Sequence, residues 1–233
     1  MVKTLLRSAV VAGLLAVVLC SLAAADDIWF PWWDRAPNVT YYWDNWSNLI
    51  GGNVYAPDLV KGIGGIGTDA VTVKSPGASL ITGPMPGFGP TRTNYWDLGP
   101  GGSMHVNVDS SPKGMDIWLQ VTYHEAIAIA PTISLLGAHQ LWISPTQLDA
   151  RVLVENTGDV GPGQPTGWIT YVSLWTLNPG ASFGGIDITA DAHMGSIIDQ
   201  VVVDTHILPE PGAVVLALLG SSTLFTLRRY RRK

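Results

Sequence analysis

Gly167-Trp168-Ile169-Thr170-Tyr171-Val172-Ser173-Leu174-Trp175-Thr176-Leu177 is the stretch that decides the fold. It is rich in β-branched and aromatic residues, carries no charge or proline, and closes on Asn178-Pro179-Gly180. That describes one long strand and its turn. The same pattern repeats upstream. Ile117, Leu119, Val121 and Tyr123 alternate with Trp118, Gln120, Thr122 and His124, and Met104, Val106 and Val108 alternate with His105, Asn107 and Asp109. A period of two predicts half-buried strands with one face inward, and Ser110 to Gly114 predicts the turn between them. Further strands are expected over Val39–Trp43, Thr68–Lys74, near Thr93–Leu98, over Arg151–Glu155, Gly185–Ala190 and Ile197–Thr205. Ala126–Leu136 and Leu141–Ser144 are more evenly apolar, which predicts strands covered on both faces. The 26 glycines and 16 prolines leave almost no window in which a helix could run. The expected class is all-β, a two-sheet antiparallel sandwich flanked by an N-terminal signal helix and a C-terminal transmembrane helix.

Both ends of the chain differ in kind from this body. Residues 1–25 have the three parts of a secretory signal. Lys3 and Arg7 supply positive charge, Ser8 to Cys20 is apolar, and Ala23 and Ala25 place small residues at the cleavage positions, so the cut is expected before Asp26. Cys20 follows Leu19, where lipidation needs a small residue. At the other end, Pro209-Glu210-Pro211 precedes Gly212 to Leu227, an uncharged run 16 residues long, and then Arg228, Arg229, Arg231, Arg232 and Lys233. A helix of that length spans roughly 24 Å against roughly 30 Å of hydrocarbon. It is short for a span, broken by Ser221-Ser222-Thr223, and able to lodge only if the flanking arginines snorkel. The basic cluster orients it, with the body (26–208) outside.

The order Pro-Glu-Pro, apolar run, arginine-rich end resembles the PEP-CTERM sorting signal of bacterial exported proteins. The resemblance covers residues 209–233. It implies handling by exosortase, a membrane-embedded transpeptidase that cuts near the Pro-Glu-Pro, so that membrane residence is transient. The closing strand pattern of the body is similar to that of jelly-roll, galactose-binding-like domains, over about 40 residues and without a fixed motif.

Composition excludes several function classes. The body holds six Lys and Arg against 17 Asp and Glu, about −11, while seven of the 13 cations sit in the two end segments. A surface that acidic repels phosphate backbones, and no nucleic-acid partner is expected. Cys20 is the single cysteine. Its loss with the signal removes disulfides, thiolate metal sites and cysteine nucleophiles from the exported part.

Five of the ten tryptophans fall between Trp29 and Trp46: Trp29, Trp32, Trp33, Trp43 and Trp46. Indole faces stack on sugar rings, which makes these the candidate glycan contacts; burial as core or lid is the competing expectation. Gly62 to Gly67 spells G-x-G-x-x-G, but a strand-like segment follows instead of the helix that holds a pyrophosphate. Gly180-Ala181-Ser182-Phe183-Gly184 matches the nucleophile elbow, again with a strand-like segment next, so a hydrolase at Ser182 is a remote alternative. His124-Glu125 lacks the second histidine of H-E-x-x-H. Asp187, Asp191 and Asp199 are the candidate calcium ligands among the body's aspartates, without EF-hand spacing. No catalytic residue is assigned. The reading is an exported surface or extracellular-matrix (biofilm) protein without a catalytic role, with signal peptidase, exosortase and extracellular polysaccharide as partners. The alternative is a carbohydrate-binding module.

Overall fold

A computed structural model describes residues 38–62, 69–84, 92–125, 130–137, 150–161 and 164–208, together with Pro31 and Arg35. In chain order its strands are β1 (Val39–Trp43), β2 (Leu49–Gly51), β3 (Val54–Tyr55), β4 (Leu59–Lys61), β5 (Ala70–Lys74), β6 (Ser79–Ile81) and β7 (Tyr95–Asp97). There follow β8 (Ser103–Asn107), β9 (Met115–Glu125), β10 (Thr132–Gly137), β11 (Ala150–Gly161), β12 (Gln164–Leu177), β13 (Phe183–Thr189) and β14 (Ile197–Ile207). The expected sandwich-like, all-β architecture is present: two antiparallel sheets, and no helix among the described residues. One sheet runs β11-β12-β9-β14-β1-β4, with β7 joined to β14 and β6 to β7. The other runs β10-β13-β8-β5-β3-β2.

The core lies between them. Ile117, Leu119, Val121 and Tyr123 of β9, with Val201 and Val203 of β14, face Met104, Val106, Ile186 and Ile188 of the second sheet in one buried cluster. β-branched side chains suit such pleated, packed faces because their rotamers are already restricted. The turn before β9 needs its glycine. Gly114 has φ +84°, and a Cβ there would stand 2.7 Å from the Leu177 carbonyl oxygen.

Two expectations are corrected. β9 is not half-buried: Trp118, Gln120, Thr122 and His124, on the face away from the core, are buried as well. Alternation here separates an apolar buried face from a polar buried one, so it does not mark a solvent face. The second correction concerns β10, expected to be covered on both faces. Leu135 is buried and Ile133 partly so, but Thr132, Ser134 and Leu136 are exposed, because β10 is the edge of its sheet. The strands β2, β3 and β4 fall where the sequence analysis places no strand. They form because Asp58 folds the segment back on itself. Its carboxylate accepts from the backbone N–H groups of Asp44, Asn45, Trp46 and Ser47 and from the Ser47 hydroxyl. Leu141–Ser144, the signal helix and the transmembrane helix lie outside the described residues.

Trp43 is fully buried, stacks on Tyr41 with ring centroids 6.0 Å apart, and donates its Nε1–H to the Tyr55 carbonyl at 3.1 Å. Trp43→Ala is expected to cost about 3–5 kcal/mol. The midpoint of denaturant unfolding checks it, and an unchanged midpoint would remove Trp43 from the core.

Candidate functional site

At one side of the sandwich the interior opens between edge strands β10 and β11. Across the first sheet, Val201, Val121, Tyr171 and Arg151 lie opposite one another in register, and Ile198, Tyr123, Ile169 and Leu153 form the next row. Each row begins in buried aliphatics on β14 and ends at an exposed residue on β11. Tyr123, Tyr171 and Arg151 line one wall of the resulting cleft, and Pro131, Thr132 and Ile133 the other. Its volume is about 490 Å³, within the range of small-ligand sites. Tyr123 is 1 % exposed, and among the described residues its hydroxyl has no hydrogen-bond partner. Burial pushes the phenol pKa up to about 12, with Arg151 pulling it down and Glu125 adding to the rise. The phenol is therefore a neutral donor across the physiological range.

The far face of the first sheet is polar and held by arginines. Arg35 donates to Asp204 at 2.6 Å and to the Tyr42 hydroxyl at 2.9 Å, and the Thr40 hydroxyl donates to the same Asp204. Arg92 bridges Glu155 at 3.0 Å and Asp199, and its guanidinium lies 5.3 Å from the centroid of Trp168. The Thr122 and Thr170 hydroxyls pair at 2.8 Å. These partners satisfy much of a buried polar layer that would otherwise be strongly destabilising; the buried Gln200 amide has no partner among the described residues.

The residues singled out in the sequence are scattered. Trp43 and Trp46 are 0 % and 2 % exposed and belong to the core, where Trp46 Nε1–H donates to the Asp199 carbonyl at 2.8 Å. For these two the packing of both rings inside the core cluster supports burial, the competing expectation. Trp29, Trp32 and Trp33 lie outside the described residues, as do the cleavage residues Ala23 and Ala25, the motif Pro209-Glu210-Pro211 and the basic cluster Arg228 to Lys233. The three candidate calcium ligands do not converge. Asp187 on β13 sits 2.7 Å from His105 Nδ1, and Asp191 caps a turn by accepting from the N–H groups of His193 and Met194. Asp199 is tied to Arg92. Among the described residues no three His, Cys, Asp or Glu side chains are grouped to hold an ion.

Ser182 is exposed and runs straight into β13, so the strand-to-helix turn of a nucleophile elbow is absent there. Likewise, β5 follows the G-x-G-x-x-G segment. The His105–Asp187 pair owes its position to Gly185, at φ +99°, where a Cβ would meet the imidazole at 2.7 Å. Tyr123, Tyr171 and Arg151 escaped sequence reasoning because each sits in an ordinary strand pattern; only the register brings them together.

Among the described residues no helix is long and apolar enough to cross a membrane. No family model, curated protein or solved structure matches the chain.

One buried carboxylate gives a pH test. Asp69 is 3 % exposed and accepts from the Asp109 N–H at 2.9 Å. Burial raises its pKa, Asp109's charge adds to the rise, and the hydrogen bonds it accepts from the Asp109 backbone and from Tyr41 oppose it. The folded state therefore prefers this carboxyl neutral. Its contribution is fully present below the unfolded pKa of about 3.9 and is lost as pH rises through the higher folded value. Asp69→Asn is expected to gain melting temperature relative to wild type as pH rises from about 4 to about 7. Parallel melting curves at all pH values would contradict this.

Proposed function

We propose that the chain is an exported surface or extracellular-matrix protein without a catalytic role, a β-sandwich of jelly-roll type delivered by a C-terminal sorting segment. The observation that carries this is the ordered set of Pro209-Glu210-Pro211, the uncharged run 212–227 and the basic cluster 228–233, matched by the signal pattern over 1–25. The body's architecture is compatible with processing at that place. Its last strand ends at Ile207, and the Leu208 N–H donates to the Gly114 carbonyl at 3.1 Å, so a cut near Pro209 removes no strand from the sandwich. From β8 onward the chain passes repeatedly between sheets: β8, β10 and β13 in the second, β9, β11, β12 and β14 in the first. That winding supports the jelly-roll type.

Signal peptidase and exosortase are the processing partners in this account, and the membrane is a transient one. Extracellular polysaccharide is the surrounding material. A glycan-binding role through the tryptophan-rich segment would now rest on Trp29, Trp32 and Trp33 alone.

Intact-mass spectrometry of the protein recovered from its native host tests the proposal. The expected mature species begins at Asp26 and lacks the basic cluster after Leu227. A stably embedded protein still ending in Arg232-Lys233 would contradict processing.

A further inference from the structure

The cleft between β10 and β11 combines features that closing a sandwich does not require. Away from the cleft the interior is filled by aliphatic side chains such as Val201, Val121 and Ile198 and by the packed rings of Tyr41, Trp43 and Trp46. At the cleft the same inner face presents a buried phenol, a half-buried phenol and a guanidinium. Leaving the Tyr123 hydroxyl without a partner is unfavourable by about 1–3 kcal/mol. Phenylalanine would fill the same space without that loss. The hydroxyl therefore points to a hydrogen-bond acceptor that arrives from outside.

The chemistry of the acceptor follows from the neighbours. Among the described residues that line the cleft Arg151 is the charged one, and it acts on the Tyr123 hydroxyl electrostatically, opposed by Glu125 outside the lining. A cationic ligand would be repelled by it. A polyphosphate would need more than one cation, whereas a single carboxylate matches a guanidinium in plane, through two parallel hydrogen bonds. The neutral phenol can then donate to the same carboxylate. Beyond that polar end, the Tyr171 ring and the apolar Ile133 and Pro131 offer flat or greasy walls on both sides, suited to a six-membered ring. The volume of about 490 Å³ accommodates one or two such rings.

We propose that this cleft binds a ring-borne carboxylate, held by Arg151 and the Tyr123 hydroxyl with its ring against Tyr171. The site goes beyond the delivery reading and stands whether or not residues 209–233 are processed. Two sources share this chemistry, a uronic acid and an aromatic acid. A rival role for Arg151 also exists, since a charge directed inward from an edge strand prevents edge-to-edge association. That role explains Arg151 but not the orphan phenol.

Isothermal titration calorimetry on the full chain in mild detergent separates these cases, with glucuronate, benzoate and uncharged glucose as probes. Glucuronate or benzoate, whichever is the source, is expected to bind in the millimolar range, with glucose at least about 10-fold weaker. Arg151→Gln is expected to weaken the carboxylate about 10-fold or more, and Tyr123→Phe about 5-fold, with melting temperature unchanged or raised in the phenylalanine variant. The site would be overturned by no heat from either carboxylate at tens of millimolar, by glucose binding as tightly, or by either variant binding like wild type. Should Arg151→Gln associate instead of remaining monodisperse, Tyr123→Phe alone decides, because it leaves the edge charge in place.

Discussion

Burial of both faces of the β9–β14 pair is the constraint from which the rest of the structure follows. Met115–Glu125 and Ile197–Ile207 run antiparallel through the middle of the larger sheet, flanked by β12 on one side and β1 on the other. Their inner faces supply the aliphatic half of the core, and their backbones are paired along both edges. A charged side chain on the outer face of such a strand is costly unless it is paired inside the protein, and this requirement places Arg35 against Asp204 and Arg92 against Asp199. The buried Gln200 amide on β14 is the exception, with no hydrogen-bond partner among the described residues. A buried ion pair of this kind is modest as net stabilisation, yet removal of one partner is severe, so these arginines act as positional ties.

The edges obey the opposite rule. β10 and β11 terminate the two sheets on one side, and there the requirement for complete burial lapses. Rows that are aliphatic at β14 finish in Tyr171, Arg151 and Leu153, and the interior becomes a cleft. At the other side, β2 and β4 carry Leu49, Ile50, Leu59 and Val60 exposed. Those residues are two consecutive pairs on very short strands, and short strands are themselves a means of blunting an edge. Function is therefore sought at the β10–β11 side, where unsatisfied polarity and space coincide.

Much of the fold was legible from residues 95–208 because strand periodicity there is strong and turns are marked by Gly, Pro and Asn. β1 was read with its observed bounds, and β5, β8, β12, β13 and β14 within a few residues. The short strands β2 to β4 were not legible, since they depend on the Asp58 carboxylate reaching back over 11 to 14 residues to four backbone N–H groups. The burial of β9's polar face is hidden for a related reason: Thr122 and His124 look like surface residues until their partners Thr170 on β12 and Thr157 on β11 are known. The cleft was hidden for the same reason, because Tyr123 and Arg151 are 28 positions apart and meet only through the pairing of β9, β12 and β11. The proposed targeting segments are the converse case. The patterns over residues 1–25 and 209–233 are local and linear, so they need no tertiary partner to be recognised.

Native-state hydrogen exchange, followed strand by strand, tests most directly whether the β9–β14 pair is the spine of the molecule. The slowest amides are expected in Ile117–Tyr123 and Val201–Thr205, opening only with global unfolding, while β10 and the outer half of the β11–β12 hairpin exchange faster by local opening. Slowest exchange in β10 or β11, or protection spread evenly over both sheets, would contradict the account.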